Sequence, residues 1–227
     1  MKNNDNNSSG YGVYDDEEVD PGAKSRFISS NWNSSLKRGE VLSVLFVGVG
    51  GQGIILATTV VAHAVINAGL DVKVSEVHGM AQRGGSVVGS VRAGRKVFSP
   101  TINKADFIVA LEKLEGLRYL NMLAGGGYAF VNNVEIYPSS VFSKGNTYPS
   151  NIEDRVKRVT NNYLFMDAIA IAHGLKELRA SNIILIGALS RFLPFKYDCW
   201  EDAIKECVPQ KAVKINIEAF NCGRNYF

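Results

Sequence analysis

A run of glycines between two apolar segments constrains the fold of this chain more than any other feature. Residues 42–49 are apolar apart from one serine and one glycine, which is typical of a strand buried on both faces. An apolar segment of helical length continues over residues 54–68. Between the two lie Gly48, Gly50, Gly51, Gln52 and Gly53. Strand, glycine turn and helix open a βαβ unit, so the sequence predicts a Rossmann-like α/β domain.

The spacing of three of these glycines gives the turn a candidate function. Gly48-x-Gly50-x-x-Gly53 fits the dinucleotide fingerprint. Glycine permits positive φ and the close approach of a ligand or another backbone, and a helix N-terminus offers free N–H groups to an anion. Gly48, Gly50, Gly51, Gln52 and Gly53 are therefore candidate cofactor-binding residues, and a purely structural turn is the alternative.

Composition narrows the class of protein. At 227 residues with 46% hydrophobic side chains, the chain can hold one α/β domain with additions. A net charge of +3 is too small to favour nucleic acid or an anionic membrane as a partner. The three cysteines form no CxxC pair, which argues against an iron–sulfur or zinc site and favours free thiols in a reducing cytoplasm. They are Cys199, Cys207 and Cys222.

One segment has the length of a membrane span. Residues 41–70 contain no Asp, Glu, Lys or Arg, but the glycine turn and Gln52 lie inside the segment, so a strand and a helix explain it better. It is also no signal peptide, because it follows 40 polar residues. Residues 1–40 are predicted to be a disordered polar tail, and residues 41–227 the folded domain.

The segment predicted to be a helix over residues 54–68 carries no charge. A helix that is apolar on all sides is expected to be buried on all sides. We expect one face to pack on the sheet and a partner subunit to cover the other. Gly69 is the predicted C-cap residue.

A second strand, residues 71–77, leads into a loop with a candidate binding motif. His78 starts the loop, and Arg83, Gly84 and Gly85 end it. Arginine offers a fork of donors to phosphate or carboxylate, and the glycines let backbone amides converge. The alternative is a glycine turn with a solvated arginine. His78 is the one histidine whose setting favours a functional role.

Further strands are predicted along the rest of the chain, including residues 106–111 and 128–131. Residues 86–92 and 96–99 flank Ala93-Gly94-Arg95, which predicts a β-hairpin and hence a mixed sheet. Residues 155–160 are predicted to form a short strand.

The C-terminal part is predicted to be helical. Asn182 precedes the apolar run IILIGALS, and asparagine at an N-cap position favours a helix over a strand there. The last predicted helix spans residues 211–220 and is stopped by Gly223.

No catalytic machinery accompanies these binding motifs. Glu76 lies near the position where a dinucleotide-binding fold has its ribose-binding acid. No Ser/His/Asp set, metal cluster or Walker lysine can be assembled from the sequence. A self-sufficient NAD(P)-binding Rossmann protein and a free-standing ligand-binding or regulatory module therefore stay open as alternatives.

Three segments resemble one protein family. They are VGVGGQGIILA (residues 47–57), KVSEVHGMAQRGGSV (residues 73–87) and VRAGRKVFSP (residues 91–100). They look like the gamma-type subunits of 2-oxoacid:ferredoxin oxidoreductases, with the indolepyruvate branch as the nearest match. The resemblance covers Val41 to Gly223 and leaves the polar tail outside.

The resemblance implies an accessory subunit of an oxidoreductase. Complexes of this family decarboxylate a 2-oxoacid on thiamine diphosphate, transfer the acyl group to coenzyme A and pass electrons through iron–sulfur clusters to ferredoxin. The thiamine and the clusters belong to a catalytic partner subunit, so this chain is expected to bind no cofactor of its own. Aryl pyruvates are the implied substrates. The resemblance also suggests that residues 50–53 and Arg83–Gly85 face each other near the partner's active site.

Overall fold

A computed structural model describes residues 39–78, 85–137 and 148–227 of the chain. These residues form a mixed six-stranded sheet with the order β2-β3-β1-β4-β5-β6, which confirms the predicted α/β class. The strands are β1 Leu42–Val49, β2 Asp71–His78, β3 Ser86–Gly94, β4 Ala105–Ala110, β5 Leu123–Asn132 and β6 Tyr163–Met166. The predicted tail lies almost wholly outside the described residues and stays a prediction.

Helices cover both faces of the sheet. One face packs on α1, α4, α5, α6 and α7 through a core that includes Phe46, Phe107 and Phe130, and the other packs on α2 and α3. The helices are α1 Ile54–Asn67, α2 Lys113–Tyr119, α3 Ile152–Val159, α4 Ala168–Gly174, α5 Ser181–Ser190, α6 Tyr197–Cys207 and α7 Val213–Arg224. Short 3-10 turns occupy Leu120–Met122, Leu178–Ala180 and Gln210–Ala212. No helix in the described ranges has both the length and the apolar character needed to cross a bilayer.

The predicted hairpin between residues 86–92 and 96–99 is wrong, although the mixed sheet that it implied is confirmed. β3 is antiparallel to β2 on one side and to β1 on the other, with Ser90 opposite Ser75 and Leu45. Both of its edges are therefore occupied, so residues 96–99 cannot pair with it. The hairpin is β2–β3, and β1, β4, β5 and β6 run parallel.

The strand predicted over residues 155–160 is also wrong, because these residues belong to α3. Ile152 and Val156 are four residues apart and both buried, which gives the helix an apolar stripe. Acidic residues lie in its first turn and basic ones in its last, an arrangement that suits the helix dipole. The neighbouring strand β6 was not predicted.

Helix α1 forms where it was predicted, but its surroundings differ from the prediction. Gly69 has φ +75°, and the bonds from Gly69 N to Ile66 O and from Leu70 N to Val65 O form a Schellman motif. The second face packs on the chain's own helix α6, with His63 Nδ1 lying 2.7 Å from Glu206 Oε2. A partner subunit is therefore not what covers most of this helix, although Ile66 is 54% exposed.

Asp71 and Asp106 lie at the amino ends of β2 and β4, and folding shifts their pKa values in opposite directions. Burial raises the pKa of Asp106, whose Oδ2 accepts a bond from Ser43 N at 2.8 Å. The pKa of Asp71 is lowered, chiefly because its carboxylate accepts a bond from Val97 N at 2.8 Å. Folding therefore favours the neutral form of Asp106 and the charged form of Asp71.

Opposite pH dependences are expected for the matched variants D106N and D71N. A raised folded pKa stabilises the protein only at low pH, and the contribution is lost as pH rises through that pKa. D106N removes the charge that burial disfavours and keeps an acceptor for Ser43 N. Its free energy of unfolding should therefore exceed that of the parent at pH 7, and the difference should shrink towards about pH 4. D71N should be less stable at pH 7, and its deficit should shrink on acidification. Urea unfolding between those two pH values measures the free energy of unfolding of both variants and of the parent. Differences from the parent that do not change with pH would contradict the pKa shifts given to Asp106 and Asp71.

Candidate functional site

The glycine turn lies at the carboxyl end of β1, in the middle of the sheet. Gly51 and Gly53 have φ of +101° and +80°, the left-handed region that favours glycine. Gly50 N donates to Gly85 O at 2.9 Å. This bond joins the first predicted motif directly to the end of the second.

Gln52 closes the turn from inside. Its Oε1 accepts a bond from Val49 N at 2.7 Å, and its Nε2 donates to Leu111 O at 2.8 Å. A Cβ at position 48 would lie 2.7 Å from this Oε1, so Gly48 is what allows the side chain to fold back. Gln52 thus links the end of β1 to the end of β4.

Asn182 closes the turn on its other side. Its Nδ2 donates to Gly53 O at 3.0 Å and lies 2.4 Å from where a Cβ of residue 53 would stand. The helix predicted here is confirmed, but the role predicted for the asparagine is wrong, because Ala180 is the N-cap residue. The available signal was a polar side chain opening an apolar run, since a buried amide needs partners.

Some of the predicted site residues lie within the described ranges and others do not. Gly85 and the turn residues 48–53 meet at one edge of the sheet. His78 ends β2 opposite Val87, and its side chain is not described. Arg83 and Gly84 lie outside the described residues.

Two buried carboxylates adjoin this turn, and sequence reasoning missed both. Glu112 is 1% exposed and accepts bonds from Glu115 N (2.8 Å), Ile136 N (3.2 Å) and the Tyr148 hydroxyl (2.5 Å). Burial, and then the bond to Glu112, raises the pKa of the Tyr148 hydroxyl, which keeps it a donor at neutral pH. Glu112 thereby caps α2 and fixes the segment around Tyr148.

Glu115 holds the start of β3. Its carboxylate accepts a bond from the Ser86 hydroxyl at 2.5 Å and pairs with Arg118 Nε at 3.4 Å. Ser86 follows Gly85, so the end of the loop is fixed by α2 as well as by the glycine turn. The oxygens of both carboxylates accept hydrogen bonds from neighbouring groups of the chain, which suits a structural role.

Removing the Tyr148 hydroxyl should destabilise the protein more than removing that of Tyr128. Tyr148→Phe takes one donor from a buried carboxylate, and we expect a loss of about 2 kcal/mol. Tyr128 is similarly buried, but its hydroxyl donates to the neutral Tyr163 O at 3.3 Å, so Tyr128→Phe should cost about 1 kcal/mol or less. Chemical denaturation of both variants measures this, and equal losses would contradict the role given to Glu112.

The order of strands in the sheet argues against the alternative of a self-sufficient NAD(P)-binding Rossmann protein. A Rossmann dinucleotide fold has its second strand beside the first, whereas here β3 separates β2 from β1. Glu76, the candidate ribose acid, accepts a bond from the Thr58 hydroxyl at 2.9 Å. Within the described residues, no group of three potential ligands could hold a metal ion.

These features define a Rossmann-like α/β domain whose glycine turn is closed by its own side chains. The chain belongs to the pyruvate ferredoxin/flavodoxin oxidoreductase family, which it matches over residues 43–226. The resemblance read from the sequence is confirmed at this level.

Curated relatives from archaea show the same relationship over most of their length. The chain is 38% identical to indolepyruvate oxidoreductase subunit IorB of Pyrococcus horikoshii, over 80% of this chain and 93% of that protein. It is 36% identical to the subunit of the same name from Thermococcus kodakarensis, over 80% and 93%. It is 29% identical to 2-oxoglutarate synthase subunit KorC of Methanothermobacter marburgensis, over 80% and 94%.

Solved structures share the fold. The gamma subunit of a keto/oxoacid ferredoxin oxidoreductase from Geobacter sulfurreducens superposes with a TM-score of 0.59 at 23% identity, covering 80% of this chain and 95% of that one. A chain of 2-oxoglutarate:ferredoxin oxidoreductase from Magnetococcus marinus gives 0.64 at 20% identity, covering 81% of this chain and 30% of that one.

Proposed function

We propose that this chain is the accessory, gamma-type subunit of a 2-oxoacid:ferredoxin oxidoreductase that acts on indolepyruvate and related aryl pyruvates. The observation that carries the proposal is the identity of 36–38% with indolepyruvate oxidoreductase subunits over 93% of their length. The lower identity to a 2-oxoglutarate synthase subunit makes 2-oxoglutarate the less favoured substrate.

The proposed reaction belongs to the complex. A 2-oxoacid is decarboxylated on thiamine diphosphate, its acyl group passes to coenzyme A, and two electrons pass through iron–sulfur clusters to ferredoxin in the cytoplasm. The thiamine and the clusters would be held by a catalytic partner subunit. The spacing of this chain's cysteines supports that division, because Cys199, Cys207 and Cys222 form no CxxC pair of the kind that holds a cluster.

Within this subunit, the glycine turn would serve to position the loop. Gln52 and Asn182 fill the inner side of the turn, and Gly50 N and Glu115 fix the exit of the loop through Gly85 and Ser86. We propose that residues 50–53, His78 and Arg83–Gly85 together form the surface presented to the partner's active site, with Gly48 buried beneath Gln52. Arg83 would there attract an anionic group of coenzyme A or a partner carboxylate.

Reconstitution with the catalytic subunit tests the proposed activity. Ferredoxin reduction is measured with indolepyruvate, pyruvate and 2-oxoglutarate, with each subunit alone and with both together. We expect turnover only with both subunits and the highest kcat/KM with indolepyruvate. Full activity of the partner alone would contradict the accessory role, and preference for another 2-oxoacid would contradict the substrate.

The role of Arg83 is tested in the same reconstituted complex. Arg83→Ala removes a charge-assisted bond, so the KM for coenzyme A, or kcat if a partner carboxylate is the ligand, should worsen about 10- to 100-fold. Arg158→Ala, at an exposed position in the last turn of α3, is the control and should leave both constants unchanged. Unchanged kinetics in the Arg83 variant would overturn the role.

A further inference from the structure

Phe98 is an isolated aromatic side chain in solvent. It is 87% exposed, more than any other large apolar side chain in the described ranges. Covering this ring with another apolar side chain would remove a large apolar area from water, which favours contact.

The backbone on both sides of Phe98 is fixed. Val97 is 2% exposed, and its N–H donates to Asp71 Oδ2 at 2.8 Å. Arg92 Nη1 donates to Ser99 O at 2.9 Å, and Thr101 N donates to Ser99 Oγ at 3.1 Å. The segment of residues 96–100 therefore holds the ring outward, so contact with it requires little ordering.

Basic residues flank Phe98 along the chain. Residues 92–104 contain four cations and no Asp or Glu, and three of these cations, Arg95, Lys96 and Lys104, are exposed. Of the carboxylates nearby, those of Asp71 and Asp106 are bonded to backbone N–H groups, and Glu40 is exposed beside Gly94. The surface formed by residues 95–104, here called the Phe98 surface, therefore suits an acidic segment that carries apolar side chains.

The chain itself contains such a segment, and it joins the fold beside this surface. Residues 14–20 read YDDEEVD, five acids with one tyrosine and one valine. The described chain begins at Gly39, and Glu40 O lies 3.2 Å from where a Cβ of Gly94 would stand. Gly94 is four residues before Phe98. The twenty residues from Asp20 to Glu40 can span up to about 70 Å, so residues 14–20 can reach this surface.

We propose that residues 14–20 dock on the Phe98 surface of the same chain, with their carboxylates against Lys96 and Lys104 and with Tyr14 and Val19 against the Phe98 ring. Exposed ion pairs are individually weak. Tethering compensates for this weakness, because a short connection gives an effective concentration in the millimolar range without a second molecule. The docked tail covers this surface in the free subunit. The proposal does not depend on the proposed function.

Photo-crosslinking of the full-length chain tests this contact. The photoreactive residue p-benzoylphenylalanine replaces Phe98, and in a control chain it replaces Val77, which is 62% exposed on β2. After irradiation at low salt, mass spectrometry should map the crosslink from position 98 to residues 14–20 of the same chain, and position 77 should give none there. Salt at about 0.5 M, which shortens the Debye length to about 4 Å, should lower the yield at least about fivefold.

A second variant separates charge recognition from chance collision. Neutralising the tail with D15N, D16N, E17Q, E18Q and D20N keeps its length and shape and should also lower the yield at least about fivefold. The proposal is overturned if position 98 crosslinks only to a second copy, to another protein or to nothing. It is equally overturned if the neutralised tail crosslinks as well as the native one.

Discussion

Gly223→Ala is expected to destabilise the protein by about 3 kcal/mol, the upper end of the usual cost of overpacking a core. A Cβ at this position would lie 1.8 Å from Ile184 O in α5, and one at Gly187 would lie 2.1 Å from Phe220 O in α7. The two helices therefore touch backbone to backbone through a reciprocal pair of glycines. No rotamer change can relieve a clash with backbone, so the helices must separate and open the core around them.

Gly174→Ala is the matched control. Gly174 is also a helical glycine, but nothing lies within 4 Å of its Cβ position, so alanine there should be neutral or slightly stabilising. Thermal and urea unfolding of the two variants measures the difference. If Gly223→Ala folds with parental stability, the close packing of α5 on α7 is wrong.

Gly53→Ala is expected to cost about 2–4 kcal/mol and to impair assembly of the site. Two effects add: φ at this position is +80°, which strains an alanine by about 1–2 kcal/mol, and the new Cβ would lie 2.4 Å from Asn182 Nδ2. The displaced amide would then lose its bond to Gly53 O, leaving buried polar groups unpaired.

A double-mutant cycle separates the strain from the clash. Asn182→Ala removes the amide that the new methyl group at position 53 would meet, so the double variant should be more stable than the sum of the two single losses predicts, by about 1 kcal/mol or more. Gly51→Ala, at φ +101° with nothing within 4 Å of its Cβ position, measures the strain alone. Strict additivity of Gly53→Ala and Asn182→Ala would contradict the contact.

The sequence was informative where structure is set locally. The strand, the glycine turn and helix α1 follow from apolar patterning and from glycine conformations within 30 residues. Gly69, predicted as the C-cap residue, is the left-handed residue immediately after the C-cap residue Ala68. The partners of β3 could not be predicted in this way, because strand pairing depends on which edges are free in the assembled sheet. Gly223 was misread for a related reason: its contact partner, Ile184, is 39 positions away, so a glycine required for packing resembled a helix stop.

The site was predictable only in part. The meeting of Gly50 with Gly85 follows from two motifs at the carboxyl ends of parallel strands, where binding residues collect. Glu112 and Glu115 were missed because nothing in their local sequence shows that they become buried, and Asn182 was predicted as an N-cap residue although it opens an apolar run. Their importance arises from Gly53, Tyr148 and Ser86, which lie 29 to 129 positions away.

Native purification of the chain from its own cells under anaerobic conditions tests the central claim most directly. The account predicts co-purification of a brown subunit that carries thiamine diphosphate and iron–sulfur clusters, together with ferredoxin reduction that depends on indolepyruvate and coenzyme A. A colourless, stable chain that purifies without such a partner and binds NADH in a fluorescence titration would contradict it.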